Sequence, residues 1–306
     1  MYDNHSKGIS YLAGFFILIA FAVAGLIFAS LLDISVWQWM TGTSIEVMKK
    51  NIENPNPAYA TTLKVMQAVN AVVGFFIPAV VTATMLNRKP LQLLGFSRNI
   101  KAEQVGLTIL ILGASLIVGT SLSYFNHHIP IPEAWKIRFD RLEDSYNNQV
   151  EAIINLRNGV DYIIALVVMA FIPALCEETL FRGGLQNFLS RGTKNPWLAI
   201  IIVSILFSLA HESFYGFLFR FFLGVVLGAI YYYSGKLWLS ILAHFLNNAI
   251  SLTVLFVYMQ KGKPVREIIK SDTSTTQSSW GILVVIIVIG LFIVFKRIST
   301  ANRRPE

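Results

Sequence analysis

The run FIPALCEETLFRGGL, from Phe171 to Leu185, sets two adjacent glutamates and an arginine against an apolar segment. Ionisable groups at membrane depth are costly to bury, so they have a partner or a task. If a helix runs through CEETLFR, Glu178 and Arg182 lie one turn apart on one face, the spacing of an intrahelical ion pair. Glu177 points about 100° away from Glu178, at 3.6 residues per turn. The arginine can therefore neutralise one carboxylate and leave the other free. A free carboxylate in such a place suits a general base. The expected division makes Glu178 and Arg182 structural and Glu177 chemical. Pro173, four residues upstream of Glu177, frees a backbone carbonyl and can kink the helix to admit water.

The chain has five histidines, of which only His211 and His244 stand at apolar span positions. His211 closes FSLAH, with Phe207 four residues before it. His244 opens HFLNN, with Asn248 one turn further on the same face. A histidine and an asparagine stacked in this way could donate two hydrogen bonds to one oxygen, as an oxyanion site requires. Each element also has a plainer reading. An intramembrane His or Asn can be packing glue between helices, Glu178–Arg182 alone can be a structural pair, and Arg220 can pair or snorkel. Cys176, the single cysteine, reads as a small apolar neighbour of Glu177 and excludes an intramolecular disulfide. HESFY at His211 is not a zincin motif, because Tyr215 stands where the second histidine belongs. A bare carboxylate, two histidines and an amide on three separate spans are nonetheless hard to explain as packing.

The elements that must position these residues are membrane helices. Hydrophobic residues make up 55% of the 306, and charged residues only 14%, against about 25% in a soluble domain. Mean hydropathy is +0.59. This composition gives an all-α, polytopic transmembrane bundle; the chain reads as a single membrane-embedded domain, 1–306, and the residues singled out above fall in a core at 160–251. Spanning takes about 20 apolar residues. Clear spans are Ile9–Leu32, read as retained and not as a signal peptide, Val65–Leu86, Val105–Phe125 and Leu237–Tyr258. Tyr162–Cys176 and Trp197–Ala210 are short, Phe214–Ser234 carries Arg220, and Trp280–Phe295 closes a set of about eight spans. The loops expected are a turn-rich Asn51–Pro57, a surface helix around Glu133–Arg157 and a Ser/Thr-rich Ser271–Ser279. The net charge of +8 falls largely in short loops, where it meets lipid headgroups, so no nucleic-acid partner is implied. Arg88, Lys89, Arg98, Lys101, Arg191, Lys194 and the C-terminal Arg303 and Arg304 lean both termini towards the cytoplasm.

In order and spacing, EETLFR fits EExxxR, FSLAH fits FxxxH and HFLNN fits HxxxN. Over roughly Tyr162–Ser251 the chain thus resembles the CAAX-protease and bacteriocin-processing (CPBP) family of intramembrane endopeptidases, which includes the type II CAAX prenyl endopeptidase. The resemblance implies hydrolysis of a peptide bond in a membrane-associated peptide or protein, prenylated or a precursor. By carry-over, Glu177 and His211 activate water, His244 and Asn248 stabilise the oxyanion, and Glu178, Arg182 and Phe207 support the site. The family has been described both as metal-dependent and as metal-free. A metal-free site is preferred here. The alternative is zinc held by Glu177, His211 and His244, a three-ligand set open to water.

A non-enzymatic alternative is a transporter or immunity-type binder using the same polar residues; the absence of evident repeated halves disfavours a transporter. Counting along the helices puts Glu177 and His244 towards one membrane face and His211 near the other, unless the helix before His211 is short and submerged.

Overall fold

A backbone inside hydrocarbon must satisfy its own hydrogen bonds, so long apolar runs become helices. The structure, a computed structural model, describes residues 5–53, 56–97, 99–272 and 279–300. Arg98, residues 273–278 of the Ser/Thr-rich loop, Arg303 and Arg304 lie outside them. In chain order the helices are α1 Tyr11–Thr41, α2 Ile45–Glu53, α3 Pro57–Leu86, α4 Ala102–His127, α5 Glu133–Ile153 and α6 Gly159–Thr193. They continue with α7 Pro196–Leu209, α8 Phe217–Ser234, α9 Leu237–Gln260, α10 Val265–Asp272 and α11 Ser279–Ser299. No β-strand occurs among the described residues.

Seven of these helices (α1, α3, α4, α6, α8, α9 and α11) are long and apolar enough to cross a membrane, and α7 is a shorter apolar helix of 14 residues. The chain is an all-α, multi-pass integral membrane protein. Tyr162–Cys176, short by itself unless it continues through the glutamates, does continue: it is the first half of a 35-residue helix that includes both. The turn-rich segment expected at Asn51–Pro57 is partly helical, because α2 runs to Glu53 and Asn56 caps a turn that opens α3.

Within α3 and α6 the ladder widens to i→i+5 bonds: Ile77 N–H donates to Val72 O, Ile172 N–H to Val167 O, and Asn187 N–H to Arg182 O. The first two wide turns precede prolines in nearly identical stretches, VVGFFIPA at 72–79 and VVMAFIPA at 167–174. Pro78 and Pro173 have no N–H to give, so the preceding carbonyls must find another donor, and a wide turn supplies one. The third wide turn, Thr179–Gln186, carries Arg182 and the pair Gly183–Gly184. A Cβ on Gly183 would stand 2.9 Å from Leu94 O and 3.3 Å from Leu237 Cδ2. This bare Cα lets the loop after α3 and the start of α9 close onto the middle of α6.

Two buried apolar clusters flank that point. One joins α1, α3, α6 and α7 through Leu18, Ala83, Leu185, Phe188, Val203 and Phe207. The other joins α4, α8, α9 and α11 through Ile111, Leu227, Ala243 and Phe295. Close approach of α7 and α8 depends on small residues, as at many helix contacts in membranes: a Cβ on Gly224 would stand 2.9 Å from Ser204 Cβ. The polar side chains of α6 and α9 lie at the seam between the clusters.

Candidate active site

Glu178 and Arg182 are both fully buried, and Arg182 Nη1 donates to Glu178 Oε1 at 2.6 Å. His244, 3% exposed, meets the same oxygen, with Nδ1 2.8 Å from Glu178 Oε1. The arginine is fixed further by a long bond from Nη2 to Gly224 O (3.4 Å) and by the Phe207 ring 4.5 Å beneath its guanidinium. One carboxylate oxygen thus ties α6 to α9, and the arginine ties α6 to α8 and α7. The link from Glu178 to His244 was not visible in the sequence, where only the intrahelical i,i+4 relation could be read.

Glu177 lies outside this knot. Its side chain keeps 17% exposure where that of Glu178 has none. Its Oε2 is buried without a hydrogen-bond partner and stands 3.9 Å from His244 Nε2. That gap is too long for a hydrogen bond. A carboxylate bound to Arg182 accepts from imidazole, so Nδ1 of His244 carries a proton and Nε2 is the nitrogen that faces Glu177. Asn248, one turn along α9, accepts from Asn247 Nδ2 at 3.1 Å.

His211 follows α7 in the turn before α8. Its Nδ1 lies 2.8 Å from Phe207 O. A carbonyl only accepts, so Nδ1 holds the proton and Nε2 keeps a lone pair. Both imidazoles pack edge-on against the Phe207 ring, His211 at 5.0 Å and His244 at 5.6 Å between centroids. Phe207 therefore spaces the two histidines as well as supporting Arg182.

Of the two placements left open for His211, the structure gives the one with a short helix before it: α7 has 14 residues, and His211 lies level with Glu177 and His244. The α6–α7 hairpin turns between Thr193 and Pro196. Glu177 is about 24 Å back along α6 from that turn, and His211 about 22 Å forward past α7, at 1.5 Å per residue. The two are level. α9 begins beside Gly183 and not beside Thr193, because the Leu93–Gly95 loop fills the space below it: Leu237 N–H donates to Gly95 O (2.8 Å), and Asn187 Nδ2 to Leu93 O (2.6 Å). His244 is thereby lowered to the same depth.

Glu177, His211 and His244 do not close into a metal cage: among the described residues no three His, Cys, Asp or Glu side chains gather closely enough to hold an ion. The zinc-ligand set raised from the sequence does not fit this arrangement. Cys176 is buried beside Glu177 and offers no accessible thiol.

Carboxylates of α6, the imidazole of α9 and the imidazole after α7 thus gather around the Phe207 ring within a multi-pass helical bundle. Residues 159–250 match the family model described as Type II CAAX prenyl endopeptidase Rce1-like, so the resemblance carried by the three motifs is borne out over that segment. The protein described as "Putative membrane peptidase YdiL" of Bacillus subtilis (strain 168) is 25% identical over 211 residues, covering 69% of this chain and 79% of that one. An "Uncharacterized 24.3 kDa protein" of Escherichia coli is 36% identical over 100 residues, 31% of this chain and 45% of that one. No solved structure matches. Together these matches support a membrane protease in general terms.

Proposed function

We propose that the chain is an intramembrane endopeptidase that hydrolyses a peptide bond of a membrane-associated protein, with Glu177 as the base. The observation that carries this reading is the sharing of Glu178 Oε1 by Arg182 and His244, which leaves Glu177 Oε2 and His244 Nε2 facing each other across 3.9 Å. Two carboxylates, one guanidinium and one imidazole sum to zero charge when a single proton is held between those two atoms. Neutrality matters at this depth, where net charge is expensive. A water in the gap would be polarised from both sides. In the proposed reaction Glu177 takes a proton from that water as its oxygen attacks the carbonyl carbon. His211, whose Nδ1–H is held by Phe207 O, accepts through Nε2 and helps hold the water. The carbonyl oxygen becomes an oxyanion and receives hydrogen bonds from His244 Nε2–H and the Asn248 amide. Glu177 then returns its proton to the leaving amine as the C–N bond breaks. Glu178, Arg182 and Phe207 fix His244 in tautomer and position. The resemblance suggests a prenylated or precursor substrate.

The same reading assigns both termini to the cytoplasm. Lys7 N–H bonds to Leu86 O and Arg88 N–H to His5 O, each at 2.9 Å, and Gln104 bonds Ser299. The two ends of the described chain therefore lie at the end of the bundle where Arg88, Lys89, Lys101, Arg191 and Lys194 gather, which supports a cytoplasmic assignment.

The test compares new protein N-termini in membranes containing wild type and Glu177→Gln at equal abundance. Glutamine keeps the shape but takes no proton, so cleavage should fall about 10²–10⁴-fold. Equal cleavage by a folded Glu177→Gln protein would remove Glu177 from the role of base.

A further inference from the structure

His211 differs from the other proposed reacting groups in having no helix beneath it. Glu177 stands on α6, and His244 and Asn248 on α9, whereas His211 lies in the turn between α7 and α8. A turn fixes the aim of a side chain less firmly than a helix does, so it needs support from outside. The next residue raises that need. Glu212 has φ +51°, in the left-handed region, and its side chain is exposed. Away from glycine this conformation is strained and persists only where the surroundings over-determine it.

The surroundings that do so belong chiefly to α5. Phe139, Leu142, Glu143, Tyr146 and Val150 share one face of this helix and are half-buried. Ser213, 5% exposed, donates from Oγ to Glu143 Oε2 at 2.7 Å and accepts from Gly216 N–H at 3.1 Å. Phe214 stacks on Phe139 with ring centroids 4.2 Å apart and planes within 8°. Tyr215 donates to Asp140 Oδ1 at 2.6 Å. Each of the three side chains that follow Glu212 therefore binds α5. From the other side, buried Asn126 of α4 donates to Phe214 O (2.8 Å) and accepts from Leu218 N–H (3.0 Å). Covering an apolar surface would need only the aromatic contact. A carboxylate bonded to a buried hydroxyl does more, because its geometry specifies where Ser213 stands.

We infer that α5 is a positioning strap for His211: Glu143, acting through Ser213, holds the strained turn that aims the imidazole, and Glu212 takes the backbone conformation which that hold imposes. Glu143 and Ser213 are positioning residues and touch no reacting atom. The inference rests on the protease reading for what His211 does, and on the geometry of the turn alone for how it is held.

The experiment reads the imidazole directly, by NMR of full-length, histidine-labelled protein in detergent, beside cleavage in membranes. Wild-type His211 should give one signal with the proton on Nδ1, recognised by its loss in His211→Gln. Ser213→Ala and Glu143→Ala should each broaden that signal or add the second tautomer, as the ring comes off Phe207 O. The same variants should lower cleavage by up to about 10²-fold, the scale of a misplaced reacting group, with melting close to that of wild type. Glu143→Gln keeps an acceptor oxygen opposite Ser213 and should recover most of both losses. Glycine takes the left-handed backbone without strain, so Glu212→Gly added to Ser213→Ala should restore part of the signal and of the cleavage. If Glu143→Ala does not fold, Ser213→Ala, which leaves α5 intact, carries the test. A wild-type His211 signal in the alanine variants overturns the strap. So do losses that track a lowered melting temperature and are not recovered by Glu143→Gln. Failure of the protease reading shows separately, as cleavage that persists in Glu177→Gln, and leaves the His211 signal to decide on the strap.

Discussion

Arg182 and His244 both reach the same oxygen of Glu178, at 2.6 and 2.8 Å, so this one carboxylate is charge partner to the first and orienter to the second. Removing either member of the Glu178–Arg182 pair strands a buried charge, which typically destabilises by about 3–5 kcal/mol. Glu178→Ala and Arg182→Ala should therefore both lower the detergent melting temperature and the expression level. Wild-type melting in both variants would refute the bracing role. Asn248 offers a different signature, because it sits outside that knot. If it donates to the oxyanion, Asn248→Ala should lower kcat about 10²–10³-fold with KM little changed and melting intact. A change confined to KM would make it a substrate-binding group instead.

At the scale of elements, the site depends on helices brought unusually close. Arg182 Nη2 reaches Gly224 O, and Gly224 is also where α8 meets Ser204 of α7. Gly224→Ala puts a Cβ 2.9 Å from Ser204 Cβ and 3.1 Å from Ser204 Cα, so backbone as well as side chain must move. Overpacking of this kind costs about 1–3 kcal/mol. The variant should melt lower than wild type and lose activity, since Phe207 and His211 lie on and just beyond the displaced α7. Unchanged melting would mean the contact yields freely. The wide turns of α6 belong to the same scale. They re-bond the chain around Pro173 and admit Gly183 against the Leu94 carbonyl, which fixes the depth at which α9 begins.

For the molecule as a whole, the proposed reaction is confined to side chains of α6, α7 and α9 and the turn after α7, with α8 holding Arg182. Because Glu177, His211 and His244 do not gather as ligands, prolonged chelation followed by elemental analysis should leave activity unchanged in protein with substoichiometric metal. Inactivation by the chelator, with recovery on adding zinc, would overturn that expectation and make His244 a ligand.

The sequence by itself determined what is local or additive. Long apolar runs had to become spanning helices, since hydrocarbon offers the backbone no other partner. The offset of four between Glu178 and Arg182 had to stack them, and three short motifs in order carried the resemblance that the match over 159–250 supports. The tertiary structure decided depth and aim. Helical periodicity gives the direction of a side chain on its own helix but not the level of one helix against another. That level depends on where each helix starts, which here follows from the Leu93–Gly95 loop wedged under α9 and from a hairpin placing Glu177 and His211 equally far from its turn. For the same reason the contact of Glu178 with His244 was not legible, because it depends on residues from distant parts of the chain meeting at one depth.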